Sequence, residues 1–278
     1  KMIRIQILLE NTTCREDITC RHGLSLYVET PNHKLLFDVG PDDTFIKNAA
    51  ALGVDISAVD TVVLSHGHAD HGGGIDAFFQ ANRQAPLYLR PSALEPYYTV
   101  AGVKAPRYIG LPPIPPEHTG RLRFTAGEVR IDGELLLFSD VPNQGAPLFA
   151  NQRLRRREGE EYPQDDFRHE QHLLLTVEDR AILLAGCAHC GIVSIMERCE
   201  GLLGRGPDAV VGGFHLFSHG SGQTEPEEHI LAIGEQLRRW PTVYYTGHCT
   251  GPDAYTQLKK LLGSQILPVQ SGGELKFC

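Results

Sequence analysis

Short apolar runs that alternate with polar residues dominate the start of the chain. Between residues 2 and 9, Ile3, Ile5 and Ile7 alternate with polar positions, which is the period of two typical of a half-buried strand. Strand-like runs at 24–29 and 34–38 are separated by the turn residues Pro31 and Asn32. The opening is therefore predicted to form antiparallel hairpins.

Helical spacing then alternates with further apolar runs. Helices are predicted at about 43–52 and 75–82, and an apolar strand at 61–65 leads directly into a group of histidines. Towards the C-terminus, strands at 181–185, 209–211 and 242–245 alternate with helices at 191–203, from a capping box at 224–227 to residue 240, and at 253–263. This alternation predicts an α/β fold in which helices cover the sheets.

The region at about 91–165 has no regular periodicity. It contains a proline-rich run at 111–116 and an arginine run at 153–157. Two strands are predicted at about 121–124 and 135–138, flanked by long loops that would form a lid or a substrate wall. The arginine run is interpreted as a solvated loop face rather than an anion site. We expect one domain over residues 1–278, with this region as a loop-rich insertion.

Composition and charge narrow the function. The 26 basic and 34 acidic residues give a net charge of −8, which disfavours partners such as extended nucleic acid or an anionic membrane. No run approaches the ~18 apolar residues of a membrane span, and residues 1–10 are too soon polar for a secretory signal, so a cytoplasmic protein is expected. The seven cysteines are an odd number, which fits free thiols or metal ligands better than a disulfide framework.

The candidate chemistry begins directly after the strand at 61–65. His66, His68, Asp70 and His71 place three imidazoles and a carboxylate within six residues. His66 and His68 are two apart, so they project to the same side and can share one ion, while the residues past the turn can face a second ion.

Three later apolar strands also end in a glycine and then a histidine. These histidines are His189, His215 and His248. Because ligands in open α/β folds bind beyond the carboxyl ends of strands, the four strand ends are predicted to converge on one pocket. His22, His33, His118, His219 and His229 have no such neighbours in sequence and are interpreted as surface residues.

The motif His-x-His-x-Asp-His at 66–71 resembles the signature of the metallo-β-lactamase superfamily, and residues 36–40 resemble its early strand motif. The segments 186–193, 212–216 and 246–251 resemble the group of that superfamily related to dihydropteroate synthase and methanopterin biosynthesis. The resemblance extends over nearly the whole chain. It implies an αββα sandwich, a four-layer α/β arrangement built of two βα halves.

The resemblance also implies two divalent metal ions, zinc first, with iron or manganese as alternatives. The expected ligands are His66, His68, Asp70, His71, His189 and His248. Many members have an aspartate where this chain has Cys187, so Cys187, His169 and Glu170 remain possible ligands that compete with His189. Asp38 is expected to support the histidine loop by hydrogen bonding. His215 is expected to contact substrate, with metal ligation or a structural role as alternatives.

The leading functional hypothesis is a metal-dependent hydrolase that acts on a phosphodiester or another small phosphorylated or acyl substrate. Its dinuclear centre would activate water, and Asp70 would serve as the catalytic residue because it can bind an ion and accept a hydrogen bond from the nucleophile. A metal-dependent transferase in pterin biosynthesis and a non-catalytic metal or ligand sensor are the alternatives. The C-x-x-C at 187–190 could also be a redox pair, but no second C-x-x-C accompanies it. The expected partner is a small-molecule substrate, and a homo-oligomer is possible.

Overall fold

The computed structural model describes all residues from 1 to 278. The first half of the chain forms β1 (Ile3–Leu9), β2 (Ser25–Glu29), β3 (Lys34–Phe37), α1 (Thr44–Ala51), β4 (Thr61–Val63), α2 (Ala69–Gly72), α3 (Ile75–Ala81), β5 (Leu87–Leu89), β6 (Tyr97–Thr99), β7 (Arg107–Tyr108) and β8 (Leu122–Phe124). The second half forms β9 (Glu128–Arg130), β10 (Leu135–Ser139), β11 (Leu154–Arg156), β12 (Gln171–Val177), β13 (Arg180–Ala185), α4 (Ile192–Leu203), β14 (Ala209–Gly212), β15 (Phe217–Ser218), β16 (Gln223–Thr224), α5 (Glu227–Leu237), β17 (Val243–Thr246), α6 (Pro252–Leu262), β18 (Ile266–Pro268) and β19 (Glu274–Phe277).

Two seven-stranded sheets organise these elements. The first has the order β19-β1-β2-β3-β4-β5-β8 and the second β18-β17-β14-β13-β12-β10-β9. In the first sheet β3, β4, β5 and β8 run parallel, and in the second β13, β14, β17 and β18 run parallel. The remaining neighbours are antiparallel, and among them the pairs β1–β2 and β2–β3 confirm the predicted opening hairpins. Each sheet therefore presents the carboxyl ends of parallel strands at one edge.

The side-chain alternation of the strands divides the core into three layers. Along β12, Leu173 and Leu175 point into a cluster between the two sheets, where they meet Ile5 of β1. The intervening Leu174 points outwards into a second cluster, where it joins Met196 of α4. A third cluster lies between the first sheet and helices α1 and α3. Helices thus cover the outer face of each sheet, and the predicted αββα sandwich is confirmed.

The middle region is more regular than predicted. β8 and β10 lie where strands were predicted, but β8 belongs to the first sheet and β10 to the second, with β9 beside it. The arginine run is not a loop, because Arg155 and Arg156 in β11 pair with Tyr98 and Tyr97 in β6. The interpretation of this run as a loop was wrong because backbone pairing alone builds β11.

The predicted capping box is also absent. Thr224 lies in β16, and α5 begins only at Glu227, after Pro226. None of the helices is long and apolar enough to cross a membrane.

Candidate metal centre and its cavity

The segments that follow β4, β13, β14 and β17 meet at one edge of the sandwich. Four non-glycine residues have a left-handed backbone here, with φ between 49° and 60°: Ala188, His215 and His248 near these ends, and Asp38 directly after the neighbouring β3. Such conformations cost about 1–3 kcal/mol each and persist only where the surrounding structure enforces them. Backbone strain is therefore concentrated where the sequence predicted chemistry.

One group of side chains surrounds the end of β13. The ligand atoms of His66, Cys187 and His189 all lie within 4.8 Å of one another, and all three residues are buried. Nε2 of His66 is 3.3 Å from Nε2 of His189. The ring of His68 lies beside them, with its centroid 4.6 Å from that of His66 and 5.0 Å from that of His189.

A second group lies directly next to the first. The ligand atoms of Asp70, His71, Cys187 and His248 are also within 4.8 Å of one another. Nε2 of His71 is 3.0 Å from Nε2 of His248 and 3.1 Å from Sγ of Cys187. Oδ2 of Asp70 is 3.2 Å from Nε2 of His248. The structure thus brings together all six residues predicted as ligands.

Hydrogen bonds from Nδ1 orient the imidazoles so that, within each group, the Nε2 atoms face one another. Asp38 accepts from Nδ1 of His71 at 2.6 Å, and Asn11 accepts from Nδ1 of His248 at 2.7 Å. Asn151 accepts in the same way from Nδ1 of His189 at 2.9 Å. When Nδ1 carries the proton, Nε2 keeps its lone pair and can bind a metal.

This arrangement suits a pair of divalent cations. The Nε2 atoms of His71 and His248 face each other at 3.0 Å in one group, and those of His66 and His189 at 3.3 Å in the other. A cation between such nitrogens would satisfy both of them. A donor set of imidazole, carboxylate and thiolate is one that zinc and iron accept.

Two of the possible ligands have other contacts. The carboxylate of Glu170 accepts from the backbone N–H groups of His189 at 2.7 Å and Cys190 at 2.9 Å. Nδ1 of His169 accepts from the backbone of Gly67 at 2.8 Å. Glu170 and His169 therefore fix the two ligand-bearing loops, and only Cys187 of the three places its ligand atom within the two groups.

A third group lies at the edge of the centre. It consists of His68, Asp165 and His169, with Oδ2 of Asp165 3.0 Å from Nε2 of His169 and 3.7 Å from Nε2 of His68. Asp165 was not predicted. It is a buried carboxylate next to His68, and it is within hydrogen-bond distance of His169.

Burial and neighbouring charges together shift the pKa values of the centre. Burial lowers the pKa of His66 well below its usual value, and neighbouring imidazoles lower it further. The pKa of His189 is lowered for the same two reasons. Burial alone would raise the pKa of Asp70, but three nearby histidines outweigh it and bring this pKa well below its usual value. For His71, burial lowers the pKa, and two neighbouring carboxylates reverse the effect and raise it to about 9.

A cavity of about 360 Å³ opens onto the centre. His22 and His219 line it, with their rings stacked at 4.0 Å between centroids. Nε2 of His22 is 3.3 Å from Oδ2 of Asp70. His219 is exposed and His22 is half-buried, so the interpretation of His219 as a surface residue is confirmed. Both nevertheless have partners at the cavity, because two loops that are distant in sequence meet there.

Other side chains define the character of the cavity. His215 lines it with both ring nitrogens free of hydrogen-bond partners, 4.1 Å from the ring of His189 between centroids. Arg107 lies at the wall and forms no ion pair, while Tyr108 and Phe217 add aromatic surface. The cavity therefore combines one free cation, several imidazoles and apolar walls.

Comparisons with known proteins agree with this architecture. Residues 18–150 match the model of the metallo-beta-lactamase superfamily. The structure superposes on Tm1679, described as a metal-dependent hydrolase of the beta-lactamase superfamily, with a TM-score of 0.82 and 26% identity over 98% of both chains. It also superposes on the metallo-beta-lactamase fold protein YhfI from Bacillus subtilis, with a TM-score of 0.59 and 11% identity over 99% of both chains. The chain therefore has the metallo-β-lactamase fold.

Within this class, the chain is similar to a named enzyme of Methanocaldococcus jannaschii. That relative is 7,8-dihydropterin-6-methyl-4-(beta-D-ribofuranosyl)-aminobenzene-5'-phosphate synthase, 26% identical over 92% of this chain and 90% of the relative. The predicted resemblance to the superfamily and to its pterin-related group is thus confirmed.

Proposed function

We propose that the protein is a metal-dependent hydrolase of small phosphorylated substrates. The observation that carries this proposal is the pair of adjacent ligand groups facing a cavity of about 360 Å³. Two divalent ions, zinc first, would supply Lewis-acid chemistry there and make water a better nucleophile near neutral pH. A cavity of this size suits a small molecule rather than an extended nucleic acid.

The side chains of this chain would divide the remaining work. Asp70 belongs to the second group and also contacts His22 at the cavity, so its ionised carboxylate can accept a hydrogen bond from the attacking nucleophile. Arg107 is an unpaired guanidinium at the cavity wall, and a phosphate group is the natural partner of such a cation. Tyr108 and Phe217 would contact an aromatic or other flat part of the substrate.

A second candidate is group transfer. The similar enzyme from Methanocaldococcus jannaschii is named as a synthase of a pterin-containing phosphate ester, which favours transfer to a pterin. In that case the acceptor would occupy the position that water takes in hydrolysis. The same cavity could accommodate the acceptor because its walls carry aromatic side chains.

Product analysis separates the two reactions. The zinc-loaded protein is incubated with phosphodiesters and phosphate esters, with and without a reduced pterin acceptor. Hydrolysis without acceptor supports the proposal, and turnover that requires acceptor replaces it with transfer. Asp70→Asn is expected to abolish turnover, whereas Asp76→Asn, with the same charge change at an exposed position in α3, is expected to retain it. Ligand binding without turnover under any condition would indicate a sensor.

The cellular location is proposed from the thiols. All seven cysteines are free, and three of them, Cys14, Cys20 and Cys278, are exposed. Free exposed thiols persist in a reducing compartment, so a cytoplasmic location is proposed.

A further inference from the structure

Cys187 occupies a position that no other side chain of the centre shares. Its sulfur belongs to the group with His66 and His189, and also to the group with Asp70, His71 and His248. The side chain is buried, and Sγ is 3.1 Å from Nε2 of His71. We infer that Cys187 is a thiolate ligand shared by both ions, an inference that rests on the proposed two-ion centre.

The local backbone explains how this sulfur reaches both groups. Cys187 follows β13 through Gly186, and a side chain at position 186 would collide with Ser65, next to His66. The absence of that side chain lets the end of β13 press against the loop after β4. The thiol is thereby placed between ligands that come from the two different sheets.

The number of ligand atoms in each group supports a sulfur shared by both ions. One group contains His66 and His189 with His68 beside them, and the other contains Asp70, His71 and His248. If His68, whose ring lies beside the first group, is counted as a donor, each subsite has three candidate donors of its own. A shared sulfur raises each count to four, which is the coordination number that zinc prefers.

The other thiols near the centre are placed differently. Sγ of Cys249 accepts from the backbone of His215 at 3.2 Å and groups only with Cys187 and His215. Cys190 is in none of the ligand groups, although it completes the C-x-x-C with Cys187. Cys190 therefore provides a matched control, because it is a cysteine three positions away.

A bridging thiolate has a chemical consequence for the metal. Thiolate donors favour zinc, cobalt and cadmium, whereas manganese and magnesium favour oxygen donors. Binding of the ions would displace the thiol proton into solvent. We expect a preference for zinc over manganese that depends on Cys187.

Cobalt titration of the metal-free protein tests the inference. A cobalt–thiolate bond absorbs in the near ultraviolet, and a shared sulfur predicts that this band grows over both equivalents. Cys187→Ser is expected to remove the band, and Cys190→Ser and Cys249→Ser to keep it. A band that saturates after one equivalent, persists in Cys187→Ser or disappears in Cys249→Ser would overturn the inference.

Two further measurements test the shared sulfur without relying on Cys187→Ser. Cys187→Asp restores a bridging-capable ligand without sulfur, so it should bind two ions with no thiolate band. Cadmium-113 NMR of the unmodified protein needs no variant, and both resonances should shift in the direction of sulfur ligation. Two bound ions without any thiolate signal would refute the shared sulfur and leave the proposed function intact, whereas no bound ions would refute the proposed function itself.

Discussion

The carboxylate of Asp38 accepts three hydrogen bonds from Ser65 and His71 at the candidate centre. Its Oδ1 accepts from the backbone N–H of Ser65 at 2.7 Å, and its Oδ2 accepts from the hydroxyl of Ser65 at 2.7 Å and from Nδ1 of His71 at 2.6 Å. In Asp38→Asn, the amide oxygen must face the Ser65 N–H, because a backbone N–H can only donate a hydrogen bond and needs an acceptor. The NH₂ group then faces His71.

The consequence is a change of tautomer at His71. An NH₂ donor beside Nδ1 forces that nitrogen to accept, which moves the ring proton to Nε2, the atom 3.0 Å from Nε2 of His248. Loss of such an orienting partner lowers metal affinity about 10–100-fold. Each factor of ten corresponds to about 1.4 kcal/mol.

The same substitution weakens the metal-free fold. Hydrogen bonds to charged groups contribute about 1.5–3 kcal/mol each, and neutral ones about 1 kcal/mol. Replacing the Asp38 bonds with neutral ones should lower the free energy of unfolding by about 2–4 kcal/mol.

Two measurements check these values. Competition with a chelating dye gives the affinity of each ion, and denaturant titration gives the free energy of unfolding. Asp55→Asn is the control, because it makes the same change in an exposed carboxylate that caps a short turn at Ser57. Wild-type affinity for both ions in Asp38→Asn would refute the tautomer argument.

Three other outcomes are expected. Glu170→Ala leaves two buried backbone donors without acceptors and should lower the free energy of unfolding by about 2–4 kcal/mol in denaturant titration, whereas Glu160→Ala, at an exposed side chain, should not. If the proposed function is right, Arg107→Ala should raise KM for a phosphorylated substrate about tenfold or more with little change in kcat, because the guanidinium is proposed to bind the phosphate. An equal effect of Arg83→Ala, remote from the cavity, would contradict this role. Burial lowers the pKa of His33, but the hydrogen bonds that its ring donates to two carboxylates, Asp132 and Asp60, raise it above its usual value. Its stabilising effect is therefore complete below about pH 6.5 and is lost as pH rises through the folded-state pKa. His33→Gln should flatten that decline in unfolding measurements across pH, and an unchanged slope would argue against it.

Strands could be predicted where the sequence keeps one pattern, either alternating or continuously apolar, along the whole strand. β1 alternates, and β4, β13, β14 and β17 are short apolar runs that end in glycine or polar residues. β11 was missed because its arginines remain partly exposed. Its sequence therefore lacks the alternation of apolar and polar residues by which a strand paired with β6 could be predicted. β12 was missed because Leu173, Leu174 and Leu175 are buried on both faces and show no alternation.

The residues of the candidate site also fall into those that could be predicted from the sequence and those that could not. His66, His189 and His248 could be predicted because each lies within a few residues of the end of its own strand. Asn11 and Asn151, which hold two of these rings, could not, because a single asparagine in a loop has no motif. Their roles depend on which loops the topology brings together.

The origin of the ligands in two different sheets determines when the centre can exist. A growing chain has His66, His68, Asp70 and His71 early, but His248 follows His71 by 177 residues. Until the second sheet has packed onto the first, the early ligands form only part of each coordination shell. Metal insertion is thus expected to be a late event in biosynthesis, and a bound pair of ions would act as a clasp between two sheets that were already folded.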